Sequence, residues 1–167
     1  MPNHSFDNCQ ITTCLWFDGN ADKAANFYTA LLPDSRVTAV HRAPGDYPAG
    51  KAGAVLMVEF TLLGQSFTAL NGGPQFQFNE AISFQLPVDS QQQADGFMEA
   101  LSVVPEAEQC GWLKDRFGVS WQIVPRQLIR LLSDPDPGRA KRAFQAMMQM
   151  KRLDIAALER AAEGAAG

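Results

Sequence analysis

The chain has 167 residues, of which 46% are hydrophobic and 19% charged, and its 18 acidic and 14 basic side chains leave a formal charge of −4. That apolar content excludes a disordered chain, and the length suits one ordinary domain spanning 1–167. Scattered Lys and Arg on an acidic background exclude the basic face that nucleic acid requires, and the absence of an apolar run of about 18 residues excludes a membrane span.

In chain order, the pattern predicts a strand near 11–17 and a helix near 21–32. In that helix Ala24, Phe27, Tyr28, Leu31 and Leu32 recur at three- and four-residue spacing, Asn20 stands as its cap, and Pro33 with Asp34 stops it. Strands follow near 36–42, 53–63 and 66–71, the last two joined by the glycine turn L-G-Q. After the glycine- and proline-rich junction NGGPQFQFNE, the order repeats with a strand near 80–87, a helix near 90–102 and strands near 106–114 and 119–124, one short strand being missing or merged. The last strand points Val119, Trp121 and Ile123 to one face and Ser120, Gln122 and Val124 to the other.

Beyond Pro125, RQLIRLL, GRAKRAFQAMMQMKR and DIAALERAAEG read as three helices. Asp154 caps the last and Gly164 ends it. The middle one gathers Ala140, Phe144, Met147 and Met148 on one side, so it packs on something, either its own domain or a partner chain.

Two landmarks recur in the same order. FYTAL at 27–31 corresponds to FMEAL at 97–101, and GQSF at 64–67 to GVSW at 118–121. The chain therefore reads as an α+β protein of two modules, 8–73 and 79–125, with a helical extension over 126–164. A helix covers one face of each module's strands and leaves the other face available.

The segments LWFDGNADKAANFY (15–28), ALNGGPQFQFNEAISFQL (69–86), QCGWLKDRFGVSWQIVP (109–125) and LLSDPDPGRAKRAFQAMMQMKRLDIAALERA (131–161) resemble the vicinal oxygen chelate superfamily of glyoxalase I, bleomycin-resistance proteins and extradiol dioxygenases. Within it they are most similar to the PhnB-like branch labelled 3-demethylubiquinone-9 3-methyltransferase. The resemblance implies two βαβββ modules forming a curved mixed sheet whose concave side is a cup, and, since relatives often complete their cups across a subunit interface, a homodimer, for which the Met-rich C-terminal helix offers an apolar surface. In metal-using relatives each module supplies one ligand from its first strand and one from its last. By position these places fall at Thr13 and Thr68, near Ser83, and at Gln122, where the relatives carry glutamate.

Two threonines, a serine and a glutamine bring no negative charge to offset the desolvation of a divalent ion, so no metal and no other cofactor is expected. No glycine-rich loop of the nucleotide-binding kind is found to support the methyltransferase label, since Gly72, Gly73 and Gly118 punctuate hairpins and the module junction. Within the implied cup, Thr13, Thr68, Ser83 and Gln122 are candidate ligand-binding groups, with Trp16, Phe67 and Trp112 as an aromatic lining.

Glu59 lies mid-strand on the alternation of Met57 and Thr61, and if it faces the cup it is the best candidate for a catalytic base. His41, one of two histidines with His4, reads as a surface residue. Cys9, Cys14 and Cys110 form an odd set without C-x-x-C spacing and read as reduced, inert thiols. Asp115 and Arg116 belong to the turn before Phe117 and Gly118.

The function expected is the binding of a small apolar or aromatic molecule in a metal-free cup. One alternative is a metal-dependent isomerase, lyase or dioxygenase recruiting Glu59 or His41 at a displaced site. Another is a drug-sequestration protein that performs no chemistry. The start MPNHSFDNCQITTC has neither the basic opening nor the apolar core of a signal peptide, which points to the cytoplasm.

Overall fold

The computed structural model describes residues 11–164, so the readings of His4 and Cys9 lie outside it. The chain divides between Gln77 and Phe78, within the glycine-proline junction, into two compact units.

The first unit runs β1 (Thr13–Phe17), α1 (Ala21–Leu31), β2 (Arg36–Arg42), β3 (Val55–Leu62) and β4 (Gln65–Asn71). Its sheet has the order β1-β4-β3-β2, with β1 parallel to β4 and the other pairs antiparallel. Leu63 and Gly64 take φ of 48° and 81°, the two left-handed residues of a type I′ hairpin turn, whose twist matches that of the strands it joins. Alternate residues Leu15, Phe17, Val58, Phe60, Leu62, Phe67 and Ala69 are buried, as are Ala21, Ala24, Ala25 and Tyr28 of α1. The small alanines let the helix lie close to the sheet.

Asn20 makes no side-chain capping bond. Asn71, fifty residues beyond Ala21, takes that role instead: its Oδ1 accepts from the Ala21 N–H at 2.9 Å while its Nδ2 donates to the Val55 carbonyl at 2.9 Å. A buried amide thus serves a helix start that local spacing assigned to its neighbour.

The second unit runs β5 (Phe84–Val88), α2 (Gln91–Leu101), β6 (Trp112–Lys114), β7 (Ser120–Pro125), α3 (Arg126–Leu132), α4 (Pro137–Met147) and α5 (Ile155–Glu163). The sheet order β5-β7-β6 repeats the parallel first-to-last pairing of the first unit without its fourth strand. The strand expected over 106–114 survives only at 112–114. Pro105–Ala107 form a turn of 3-10 helix, and Cys110 and Gly111 follow with φ of 51° and 83°. Proline's fixed φ starts the tight turn, and two successive left-handed residues then reverse the chain. A Cβ at Gly111 would meet the Ile123 carbonyl oxygen at 2.6 Å, so glycine is required there.

In the helical extension, only part of the side grouped by spacing is covered within the chain. Ala143 is the buried residue of α4, and Ala146, Met147 and Met150 pack on Leu128, Leu153 and Leu158. Phe144 and Met148 remain 50% and 45% exposed. Packing by both α3 and α5 rotates the covered face away from the Phe144–Met148 line. Asp154 accepts from the Ala157 N–H at 2.8 Å, and Gly164 ends α5 at φ 80°, both as the pattern indicated. Among the described residues no helix is long and apolar enough to cross a membrane.

Candidate functional site

Each sheet has one face under its own helix and one that is not. In the first unit the register places Cys14, Thr68, Glu59 and Ala39 in one row on the second face. Thr13 pairs with Phe67 rather than Thr68, so its side chain is turned to the α1 side and does not join the row. A one-residue offset reverses a strand side chain, and Cys14 takes the place expected of Thr13. The Phe67 ring is likewise on the α1 side, buried and stacked on Phe60 with ring centroids 5.4 Å apart, though both residues also border the hollow beside Glu59. Trp16 does share the second face, but its indole lies over Gly72, donates from Nε1 to the Gly73 carbonyl at 2.8 Å and meets Phe76 edge-on at 5.0 Å.

Glu59 Oε1 lies 2.8 Å from His41 Nε2, and their side chains are 44% and 48% exposed. Glu59 is therefore not buried within this unit. Beside the pair, Thr12, Thr38, Thr61, Ser66 and Thr68 line a shallow hollow of about 350 Å³. Of the described thiols, Cys14 is exposed, whereas Cys110 Sγ lies 3.4 Å from the Met147 carbonyl oxygen.

In the second unit the corresponding face carries Gln122, paired in register with Gln85 on one side and Trp112 on the other, and Ser120, paired with Lys114. Gln122 Nε2 donates to Ser83 Oγ at 2.7 Å. Two of the four expected positions therefore meet and satisfy one another in part; the Gln122 carbonyl oxygen and the Ser83 hydroxyl hydrogen retain capacity.

Next to them is a cavity of about 280 Å³ lined by Glu80, Ala107, Gln109, Trp112, Leu113, Lys114 and Ser120. Ala107, Trp112 and Leu113 form its apolar part. Ala107 and Gln109 come from the 3-10 turn and loop that replace the missing fourth strand, so the shortened module is what leaves the space. Ser120 is 2% exposed, and its Oγ has no protein hydrogen-bond partner among the described residues. Lys114 Nζ is 2.5 Å from Glu80 Oε1, and this hydrogen bond holds the Glu80 carboxyl below the usual carboxylate range.

Asp115 supports this face from below. Buried, it accepts from the Phe117 and Val119 N–H groups at 2.8 and 3.0 Å and from Trp121 Nε1 at 2.9 Å. It fixes the turn that aims β7, a structural task consistent with its place before Phe117 and Gly118.

Residues 9–124 match the family described as 3-demethylubiquinone-9 3-methyltransferase. The chain belongs to this family. Among solved structures, a PhnB protein from Bacillus cereus, titled a putative 3-demethylubiquinone-9 3-methyltransferase, is 32% identical over 70% of this chain and 99% of its own, with a TM-score of 0.59. Protein PA1353 from Pseudomonas aeruginosa is 23% identical over 71% of this chain and 98% of its own at a TM-score of 0.54, a likeness of fold. No curated protein matches the sequence.

The PhnB-like match stops at Val124, so α3, α4 and α5 are this chain's extension beyond it. Of the candidate residues, the structure brings together Ser83, Gln122 and Trp112, and separately sets Thr68 and Glu59 side by side. Ser120, Lys114 and Glu80 were missed. The alternation that put Ser120 on Gln122's face, and Lys114 two residues from Trp112, carried part of the signal; the Glu80–Lys114 contact, which depends on the turn before β5, had none.

Proposed function

We propose that this PhnB-like protein binds a small, largely apolar molecule in the Trp112 cavity of its second unit, without a metal. One observation carries the reading: a hydroxyl, that of Ser120, is buried without a partner among the described residues in the wall of a cavity that also presents Ala107, Trp112 and Leu113. Leaving a buried hydroxyl unpaired costs roughly 1–3 kcal/mol, and such groups persist where a ligand supplies the missing bond. About 280 Å³ is near the lower end of ligand pockets, which suits a guest of one or two rings against the Trp112 face.

The metal that the superfamily resemblance implies does not fit. Thr68, Ser83 and Gln122 are neutral donors, Thr13 is turned to the helix side, and among the described residues no three His, Cys, Asp or Glu side chains gather. The methyl donor implied by the family's name fits no better: the β1–α1 turn, Asp18–Gly19–Asn20, has a single glycine, and the first N–H of α1 is taken by Asn71.

A second reading draws on the His41–Glu59 contact in the first unit, a histidine and a carboxylate within hydrogen-bond reach beside a hollow rich in hydroxyls. It supports acid–base chemistry there on a polar substrate.

A thermal-shift screen over quinones, aromatic acids and thiol conjugates, run in parallel on Trp112→Ala, tests the main reading, because a ligand that binds only the folded state raises Tm. The expected result is a stabilising compound whose effect disappears in the variant. Hits that ignore Trp112 but vanish in Glu59→Gln favour the second reading and overturn the first.

A further inference from the structure

We infer that the guest of the Trp112 cavity is a carboxylate on an apolar body, whose anionic head sits between Ser120 and Lys114 and takes Lys114 away from Glu80. The inference rests on the binding reading above and adds the ligand's charge. Ser120 and Lys114 are cross-strand partners, so their Cα atoms are about 4.5–5.5 Å apart and their side chains leave the sheet on one face. Both line the cavity. A single oxygen acid placed there accepts from the otherwise unpaired Ser120 hydroxyl and from the Lys114 ammonium at once.

Glu80 occupies the cationic partner in the meantime. Its side chain is 61% exposed, against 26% for Lys114, so the carboxylate reaches inward from solvent to a lysine held by the wall. It belongs to the turn before β5 and not to the sheet, and Ala81 N–H is held by Asn79 Oδ1 at 3.0 Å, not by a strand partner. Glu80 can therefore swing into water at little cost when another carboxylate arrives, whereas Lys114 stays in register with Ser120. A neutral guest would leave the Glu80–Lys114 pair in place. The apolar remainder, with Ala107, Leu113 and the Trp112 ring, suits the body of such an acid and disfavours a free inorganic anion.

Titration calorimetry with 2-naphthoate and its neutral isostere 2-naphthamide, on the full chain, separates the possibilities. The carboxylate is expected to bind about tenfold or more tighter than the amide, as charge-assisted bonds exceed neutral ones. Glu80→Gln is expected to tighten 2-naphthoate several-fold and leave 2-naphthamide unchanged, a gain that misfolding does not produce. Lys114→Met is expected to erase the preference for the acid. Equal, Trp112-dependent affinity for both compounds overturns the inference and leaves the binding reading standing. Binding of neither, or binding that Trp112→Ala does not weaken, overturns both.

Discussion

Replacing Ser120 by alanine removes one oxygen from a site where it has no partner. The side chain is 2% exposed and its oxygen has no protein partner among the described residues, so the folded state carries a desolvation cost of about 1–3 kcal/mol that the unfolded chain does not. Against this stands the loss of the oxygen's packing contacts, worth a few tenths of a kcal/mol at about 0.1–0.2 per atom pair. The ligand-free protein should therefore gain about 1 kcal/mol, and a chain of about 150–250 residues gaining that much melts about 2–4 °C higher. Urea unfolding followed by tryptophan fluorescence measures the change directly, with an unchanged slope showing that the unfolded state is the same. The same variant should bind the cavity's guest more weakly, so stability and binding move in opposite directions. A Ser120→Ala protein that is less stable than wild type by more than about 0.5 kcal/mol would mean that the hydroxyl is paired in solution, and the case for a waiting ligand would fall with it.

Asp115→Asn should destabilise by about 2–3 kcal/mol, because the amide nitrogen would face Trp121 Nε1 donor to donor; the urea midpoint and the Trp121 emission report it. Gly111→Ala should cost at least about 2 kcal/mol, from left-handed backbone and the overlap with Ile123, while Gly96→Ala, whose Cβ meets open space, should be neutral or stabilising in the same melt. Arg152 forks onto Glu108 at 2.8 and 3.1 Å and, with the Ser102 hydroxyl and against the pull of burial, holds that carboxyl below its ordinary value. A pKa lower in the folded than in the unfolded state adds stability above about pH 4.3, lost as the pH falls through the folded value; Arg152→Ala should move acid unfolding to higher pH in a circular-dichroism titration. EDTA should leave Tm unchanged, and Zn²⁺, Ni²⁺ or Mn²⁺ should not raise it; a rise of several degrees would restore a metal site.

Much of the architecture was legible in the residues alone. The spacing of Ala24, Tyr28 and Leu31 gave α1, alternation in 119–124 assigned Trp121 and Gln122 to opposite faces, and FYTAL and FMEAL marked the repeat. These signals are local, since helix and strand periodicity bury one side chain in three or four, or in two, whatever lies opposite. Where a strand begins is less strongly specified: an offset of one residue exchanged Thr13 for Cys14, and a proline with two left-handed residues shortened the strand expected over 106–114.

The sequence by itself therefore determined two modules, their faces and the place of Gln122 and Trp112. Tertiary structure alone decided that Asn71 caps α1, that α4 hides Ala143 and exposes Phe144, that Lys114 holds Glu80, and that Ser120 is buried unpaired. The physical reason is shared: each depends on which groups from distant parts of the chain arrive within about 3 Å, or fail to arrive, and hydrogen bonds discriminate at that range while hydrophobic patterning does not.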